Sequence, residues 1–253
     1  TTGAEIVFGD MEDRSSLPTV LDRIDVVFHA AARVTPGWGT WQQFEATIVR
    51  GNENMLWASA NAGVSRFLHI SSCDIYVEAC YGGVLANEST ACQVTFTANK
   101  YYECAKLQAD RLALDYHRLE RLRVSVIRPG WVYGPRDKRT FKLIKAISRR
   151  RFIMATKGEA RQTPVYIDDL VKGILLAAEK GRRGEIYHLA GHEILTAREI
   201  VEKIASSCGQ RIPRFRLPLV PARIAALILE KMFSPLRREP PLNRAKLSFF
   251  LHS

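Results

Sequence analysis

The chain has 253 residues, 47% hydrophobic and 25% charged, enough for a core that needs no disulfides or metal to hold it. That composition excludes disordered, collagen-like and low-complexity classes, and no apolar run approaches the roughly 18–20 residues of a membrane-spanning helix. The net charge of +11 is uneven: residues 1–135 carry 12 Lys+Arg against 15 Asp+Glu, and residues 136–253 carry 25 against 11.

A basic half can face nucleic acid, an anionic substrate or an anionic membrane surface. No helix-turn-helix or RNA-binding signature accompanies it, so no nucleic-acid partner is expected. The N-terminus lacks the pattern of a signal peptide, and a cytoplasmic protein is expected. Five cysteines, Cys73, Cys80, Cys92, Cys104 and Cys208, form no CxxC pair, which predicts reduced thiols and no zinc site. The chain opens at Thr1 without Met and stops abruptly at Ser253, so a fragment is expected.

Taken in order, short apolar runs alternate with longer helical patterns, the form of βαβ units around a parallel sheet. Strands are predicted at Ala4 to Phe8, Asp25 to His29, Arg66 to Ile70 and Val124 to Arg128. Helices are predicted at Ser16 to Arg23, Gln43 to Ala62 and Asn99 to Leu119, the second stopped by Gly63. After Pro135 basic helices dominate, with short strands near Val165 to Ile167 and Ile186 to Leu189. This predicts one domain over residues 1–135 and a second over 136–253, with segments near 164–190 returning to the first.

Leu219 to Phe233 reads as a helix with Ile224, Leu227, Ile228 and Met232 at helical spacing, near Arg211, Arg214, Arg216, Arg237 and Arg238. It either packs on the second domain or makes peripheral membrane contact.

The chemistry concentrates at Tyr102 and Lys106. Residues four apart share a helical face, and a nearby cation stabilises a phenolate, which suits Tyr102 to acid/base work at neutral pH. The strand before it ends in Ser71 and Ser72, and ligand sites in open α/β sheets form at the carboxyl ends of strands. The strand before that ends in Ala30, Ala31 and Ala32, small enough for a flat ligand to approach the backbone. His29 and His69 read as core residues, Asp168 and Asp169 as caps of a helix start. Trp38 and Trp41 either wall an apolar pocket or pin a loop. No residue group has metal-ligand spacing, so no metal is expected.

Together these residues resemble the extended short-chain dehydrogenase/reductase family, also called the NAD-dependent epimerase/dehydratase family. The resemblance rests on Gly9 and Asp10 after the first predicted strand, His29 to Ala32, Gly63, Val64 and Arg66 to Ser72, Tyr102 with Lys106, Arg128 and Pro129, Val132 to Pro135, and Val165 to Leu170. Ala30 to Asn54, with Val34, Trp38, Gly39, Trp41 and Phe44, and Arg238 to Leu242 are most similar to the 3β-hydroxysteroid dehydrogenase and dihydroflavonol reductase branch.

The resemblance implies a Rossmann-like doubly wound parallel sheet binding NAD or NADP, its first βαβ unit missing, with a smaller C-terminal substrate domain. It implies that Tyr102 exchanges a proton with the substrate, Lys106 lowers the Tyr102 pKa and binds the nicotinamide ribose, and Ser72 holds the substrate oxygen. Asp10 and Met11 would lie at the adenine, Ala30, Ala31 and Ala32 along the cofactor, and Pro129 and Val132 at the nicotinamide. The expected reaction is hydride transfer between the cofactor and a secondary alcohol or ketone of a steroid-like, isoprenoid or flavonoid-like small molecule. A nucleotide-sugar epimerase with tightly bound NAD and a non-catalytic dinucleotide-binding scaffold or redox sensor are the alternatives, and a homodimer is a further expectation by analogy.

Four departures from the family pattern matter. The GxxGxxG turn that cradles a pyrophosphate is not in the chain, and the resemblance places it about fifty residues before Thr1, roughly one and a half βαβ units. The chain by itself is therefore expected to bind cofactor weakly and to fold poorly. Ile48 stands where the family usually has Asn. Cys73 and Asp74 replace the carboxylate pair of sugar-nucleotide dehydratases, and Gln162 replaces an Arg common in epimerases, both of which weigh against nucleotide sugars.

Overall fold

The computed structural model describes residues 3–34, 39–76, 85–155, 157–211, 216–233 and 247. Trp38, Cys80, Arg214, Arg237 and Arg238 to Leu242 lie outside them. In chain order the elements are α1 (Leu17–Val20), β1 (Val26–His29), α2 (Trp41–Phe44), a π-helical stretch (Glu45–Arg50), α3 (Gly51–Asn61), β2 (Arg66–Ile70), α4 (Tyr101–Arg118), β3 (Val124–Pro129) and β4 (Trp131–Tyr133). They continue with α5 (Lys138–Ser148), β5 (Met154–Ala155), β6 (Arg161–Gln162), β7 (Pro164–Tyr166), α6 (Ile167–Lys180), β8 (Ile186–Leu189), β9 (Leu195–Thr196), α7 (Ala197–Ser207), β10 (Arg216–Leu217) and α8 (Leu219–Phe233).

The chain divides into two compact units. The first comprises Thr1–Ile75, Cys92–Pro129 and Val171–Leu189. Its four-stranded sheet has the order β1-β2-β3-β8, and every pairing is parallel, with Val27 opposite Phe67, Phe67 opposite Val124 and Val126 opposite Ile186. Parallel strands covered on both faces read as unbroken apolar runs, and β3 is buried at all six positions.

Period-two alternation splits the sheet residues between two layers. Phe67, Val124 and Val126 face a core with Leu17, Leu21, Leu56 and Ala113, contributed by α1, α3 and α4. Leu68 and Ile127 face Ile174, Ala177 and Ala178 of α6. Each large buried side chain contributes about 1.5–3 kcal/mol through burial.

Two local devices fix this packing. After α3, Gly63 adopts φ +73°, and the Val64 amide reaches back to the Ser59 carbonyl at 3.0 Å, a Schellman stop that feeds the chain into β2. The Arg66 guanidinium donates to the carbonyls of Ala177 and Gly181 at 2.8 and 2.7 Å, placing a cation at the C-terminal end of α6, where the helix dipole favours one.

The predicted strand Ala4 to Phe8 does not form: residues 3–10 carry no regular secondary structure. A strand needs a partner ladder for its backbone groups, and none pairs with this run among the described residues. Ile6 and Phe8 stay 80% and 91% exposed.

The second unit comprises Tyr76–Ala91, Gly130–Leu170 and Ala190–Ser253. Its strands form two-stranded pairs, β4 with β7, β5 with β10, and β6 with β9. Helices α5 and α7 close a small core of Ile147, Met154, Val201 and Ala205. Both start on a side-chain cap: Asp137 accepts from the Arg139 and Thr140 amides, and Thr196 forms a capping box with Glu199. Helix α8 buries Ala222 and Ala226 completely while Val220, Ile224, Leu227, Ile228 and Met232 remain 44–66% exposed. No described helix is long and apolar enough to cross a membrane.

Candidate functional site

The site is built at the carboxyl end of the first unit's sheet. Helix α4 buries its small residues completely, Ala105 and Ala109 against Phe44 and Ile48 and Ala113 in the core shared with Phe67, Val124 and Val126. Lys106 follows Ala105 and is itself 3% exposed. Its ammonium donates to the Ile70 carbonyl at 2.8 Å, so the cation is held at the last residue of β2. Burial pushes the Lys106 ammonium down to about 8 from its ordinary 10.5, and the negative charge of Asp110 opposes the shift.

Tyr102 lies one turn before Lys106, half-buried against the cluster of Phe44, Ile48, Ala105 and Ala109. Ala32, from the loop after β1, packs on the same cluster. Ile48 is 2% exposed and lies in the π-helical stretch, so this position contributes an apolar wall where an amide could have contributed a polar group. Ser72 follows β2 by two residues, and its Oγ accepts from the Asp74 amide at 3.2 Å. The preceding Ser71 amide bonds the Ile127 carbonyl at 2.7 Å, which ties this segment to β3.

Asp10 and Met11, expected from the sequence at the adenine, sit apart in sequence from these but in the same unit. Asp10 is exposed, its Oδ1 accepting from the Glu12 amide at 2.9 Å, which orients the carboxylate at the surface of a turn. The Met11 carbonyl accepts from Asn54 Nδ2 at 3.0 Å. A Cβ added at Gly51 would come within 2.6 Å of the Met11 thioether methyl, so glycine there is what admits Met11 against α3. Ala30 and Ala31 are exposed beyond the end of β1. Pro129 closes β3 and is buried, whereas Val132 lies on β4 in the second unit.

Beneath the site lies a buried charge cluster. Asp110, one turn after Lys106 and 1% exposed, accepts from Arg128 Nε at 3.0 Å and lies 3.2 Å from His69 Nε2. Burial acts to raise the Asp110 pKa, but the His69 contact and the Arg128 charge outweigh it and hold the carboxyl below its usual value. Burial holds His69 below its ordinary value and pushes His29 down to about 3. His29 and His69 are therefore neutral at physiological pH, with ring centroids 6.0 Å apart.

The Asp110 pair is the feature that motif spacing misses. A carboxylate on the alanine face of α4 was the available signal, because a buried acid requires a partner.

Trp41 is positioned by α2, whose Thr40–Gln43 capping box sets the start of the helix. It meets Phe96 edge-on at 4.9 Å and Tyr101 at 5.8 Å. Phe96 is 57% exposed, so the aromatic group presents apolar surface beside the residue that precedes Tyr102.

The chemistry of Lys106 and of the alanines after β1 is compatible with a nicotinamide dinucleotide. One of the three Lys106 donors is spent on Ile70, and the remaining two suit a ribose diol. Ala30 and Ala31 place nothing beyond a methyl group over the backbone at the end of β1.

The sequence matches the NAD dependent epimerase/dehydratase family over residues 1–190. The chain belongs to that family, whose members depend on a nicotinamide dinucleotide. It is 28% identical over 247 residues to 4-hydroxy-2-methyl-3-oxo-4-farnesyl-3,4-dihydroquinoline-1-oxide ketoreductase of Stigmatella aurantiaca, covering 96% of this chain and 72% of that protein. It is 27% identical over 226 residues to 3 beta-hydroxysteroid dehydrogenase/Delta 5-->4-isomerase of Mycobacterium tuberculosis, covering 84% of this chain and 60% of that protein.

Among solved structures, DesIV, a dTDP-glucose 4,6-dehydratase from Streptomyces venezuelae with NAD and TYD bound, superposes with TM-score 0.71 at 27% identity, over 83% of this chain and 66% of that one. The Rossmann-like α/β fold is shared with it. The relatives act on small molecules through ketoreductase, dehydrogenase and dehydratase chemistry.

Proposed function

We propose that this protein is an NAD(P)-dependent oxidoreductase that interconverts a secondary alcohol and a ketone on a lipophilic small molecule of steroid-like, isoprenoid or flavonoid-like type. The observation that carries the reading is the Lys106 ammonium, buried at the carboxyl end of β2 one helical turn from Tyr102. A cation is placed there at a desolvation cost, and a phenolate one turn away makes use of it.

In the oxidative direction Tyr102 takes the hydroxyl proton of the substrate, and in the reductive direction it returns that proton to the ketone oxygen. Lys106 stabilises the phenolate form and binds the ribose. Ser72 donates its hydroxyl hydrogen to the substrate oxygen and fixes its direction. The nicotinamide, when bound, accepts or supplies the hydride. Asp10 and Met11 are assigned to the adenine, Ala30, Ala31 and Ala32 to the length of the cofactor, and Pro129 and Val132 to the nicotinamide end. On this reading the first unit binds the dinucleotide and the second contributes mainly to substrate binding.

The lipophilic substrate is supported by the Trp41–Phe96–Tyr101 group and by relatives named for a farnesyl-bearing quinoline oxide and for a 3 beta-hydroxysteroid. The test supplies the full-length protein with either dinucleotide and a panel of sterols, isoprenoid alcohols and flavanonols, following reduced nicotinamide by absorbance. Stoichiometric release of free reduced cofactor supports the reading. Conversion of a nucleotide sugar without such release supports an epimerase instead, and tight dinucleotide binding with no turnover supports a scaffold.

A further inference from the structure

We propose that Asp110 is a positioning residue for Lys106: its carboxylate, clamped by Arg128 and packed beside His69, locks the face of α4 that carries Lys106 onto β2 and β3 and supplies the negative charge that keeps the ammonium protonated. The proposal rests on the reading of Lys106 given above.

Lys106 and Asp110 are four residues apart on one face of α4, the spacing at which side chains stand one above the other. Both are almost fully buried, at 3% and 1% exposure. Asp110 Oδ2 takes Arg128 Nε at 3.0 Å from β3, and Oδ1 stands 3.2 Å from His69 Nε2 on β2. Lys106 bonds the carbonyl of Ile70, the residue after His69. One carboxylate therefore fixes the rotation of α4 against the two strands whose ends the site occupies.

The titratable groups that act on Lys106 are His29 from β1, His69 from β2 and Asp110 from its own helix, with Tyr102 one turn earlier on that helix and Arg128 of β3 held against Asp110. Of these, Asp110 alone is a carboxylate. Without it a buried ammonium and a buried guanidinium would share one end of the core with two imidazoles and no carboxylate, and the ammonium is the group able to discharge by losing its proton. The same substitution would weaken the hold of α4 on β3, so position and protonation are disturbed together.

The experiment uses the full-length protein and two neutralising variants of opposite sign, Asp110→Asn and Arg128→Gln. The Lys106 titration is read twice: from the 13Cε shift of labelled lysine without cofactor, and from the alkaline limb of the kcat profile. Asp110→Asn is expected to move both down by about one pH unit, which lowers turnover on the alkaline side by about tenfold, with the substrate KM within threefold of the parent. Arg128→Gln, which leaves the carboxylate charge uncompensated, is expected to move both upward.

Titrations unmoved in both variants, or displaced in the same direction, overturn the proposal, because a purely structural clamp predicts no opposed shifts. If one variant fails to melt cooperatively, the other decides by its sign. If both fail, Asp110→Glu decides: the charge stays and the carboxylate is displaced by a methylene, so kcat should fall at least fivefold with the titration in place, and an unchanged kcat refutes the clamp. Full turnover in Tyr102→Phe would instead refute the functional reading itself. Loss of turnover there, with Asp110→Asn normal in both titrations, would refute this inference alone.

Discussion

Lys106 donates to the carbonyl of Ile70 at 2.8 Å, which joins the middle of α4 to the last residue of β2. The bond places a cation where a parallel sheet of this topology presents its ligand-binding edge. It also fixes which face of α4 looks into the site, and Tyr102 lies on that face one turn earlier.

Tyr102→Phe removes the proton carrier and keeps the ring that packs on the cluster of Phe44, Ile48, Ala105 and Ala109. Turnover is expected to fall by 10²–10⁴-fold, the span of general acid–base contributions, while dinucleotide affinity changes less than threefold. Steady-state kinetics beside a nicotinamide fluorescence titration separates the two.

Folding stability should respond to pH through the buried histidines. His29 titrates near 3 in the folded chain against an ordinary 6.5, because burial penalises its charged form. Between these values the unfolded chain binds more protons, so stability falls as pH drops below 6.5. Urea midpoints measured from pH 7.5 to 5 should decline, and His29→Gln should decline less steeply than the parent.

Glu103 gives the opposite slope. Burial, with help from the Asp74 charge, pushes its carboxyl up to about 7 from 4.5. The folded chain then binds more protons between those values, so this contribution to stability is present below 4.5 and lost as pH rises through 7. Glu103→Gln should make the urea midpoint rise more steeply with pH between 5 and 7 than it does in the parent, because an opposing slope has been removed.

Phe67 is fully buried in the core between the sheet and helices α1, α3 and α4. Phe67→Ala should cost about 3–5 kcal/mol by lost transfer and cavity formation. Equilibrium urea denaturation checks it through a lowered midpoint with an unchanged m-value.

Trp41→Ala removes the ring that meets Phe96 and Tyr101. The substrate KM is expected to rise roughly tenfold, equivalent to about 1.4 kcal/mol, with cofactor affinity unaffected. A KM unchanged across the lipophilic panel would assign the ring to loop packing alone.

The elements legible in the sequence were those whose burial pattern is set by their own residues. Strand β2 runs Arg66–Ile70 and helix α8 runs Leu219–Phe233, both at the predicted bounds, because continuous apolar runs and punctuated helical periods carry that information locally. The helix predicted from Gln43 begins at Trp41 and passes through a π-helical stretch at Glu45–Arg50. One added residue per turn leaves no mark in a hydrophobic period, so the irregularity is invisible until the helix packs. Ala4 to Phe8 shows the reverse failure: an apolar run with strand composition forms no strand where no ladder receives it.

By itself the sequence determined the family, the parallel α/β architecture and the identity of Tyr102, Lys106 and Ser72 as candidates, because spacing along a helix and the ends of apolar strands are local properties. Only the tertiary structure decided that Lys106 is buried on the Ile70 carbonyl, that Asp110 joins Arg128 and His69 beneath it, and that Phe96 closes on Trp41. Those relationships join residues far apart in sequence, and they follow from which faces the helices and strands bury against one another.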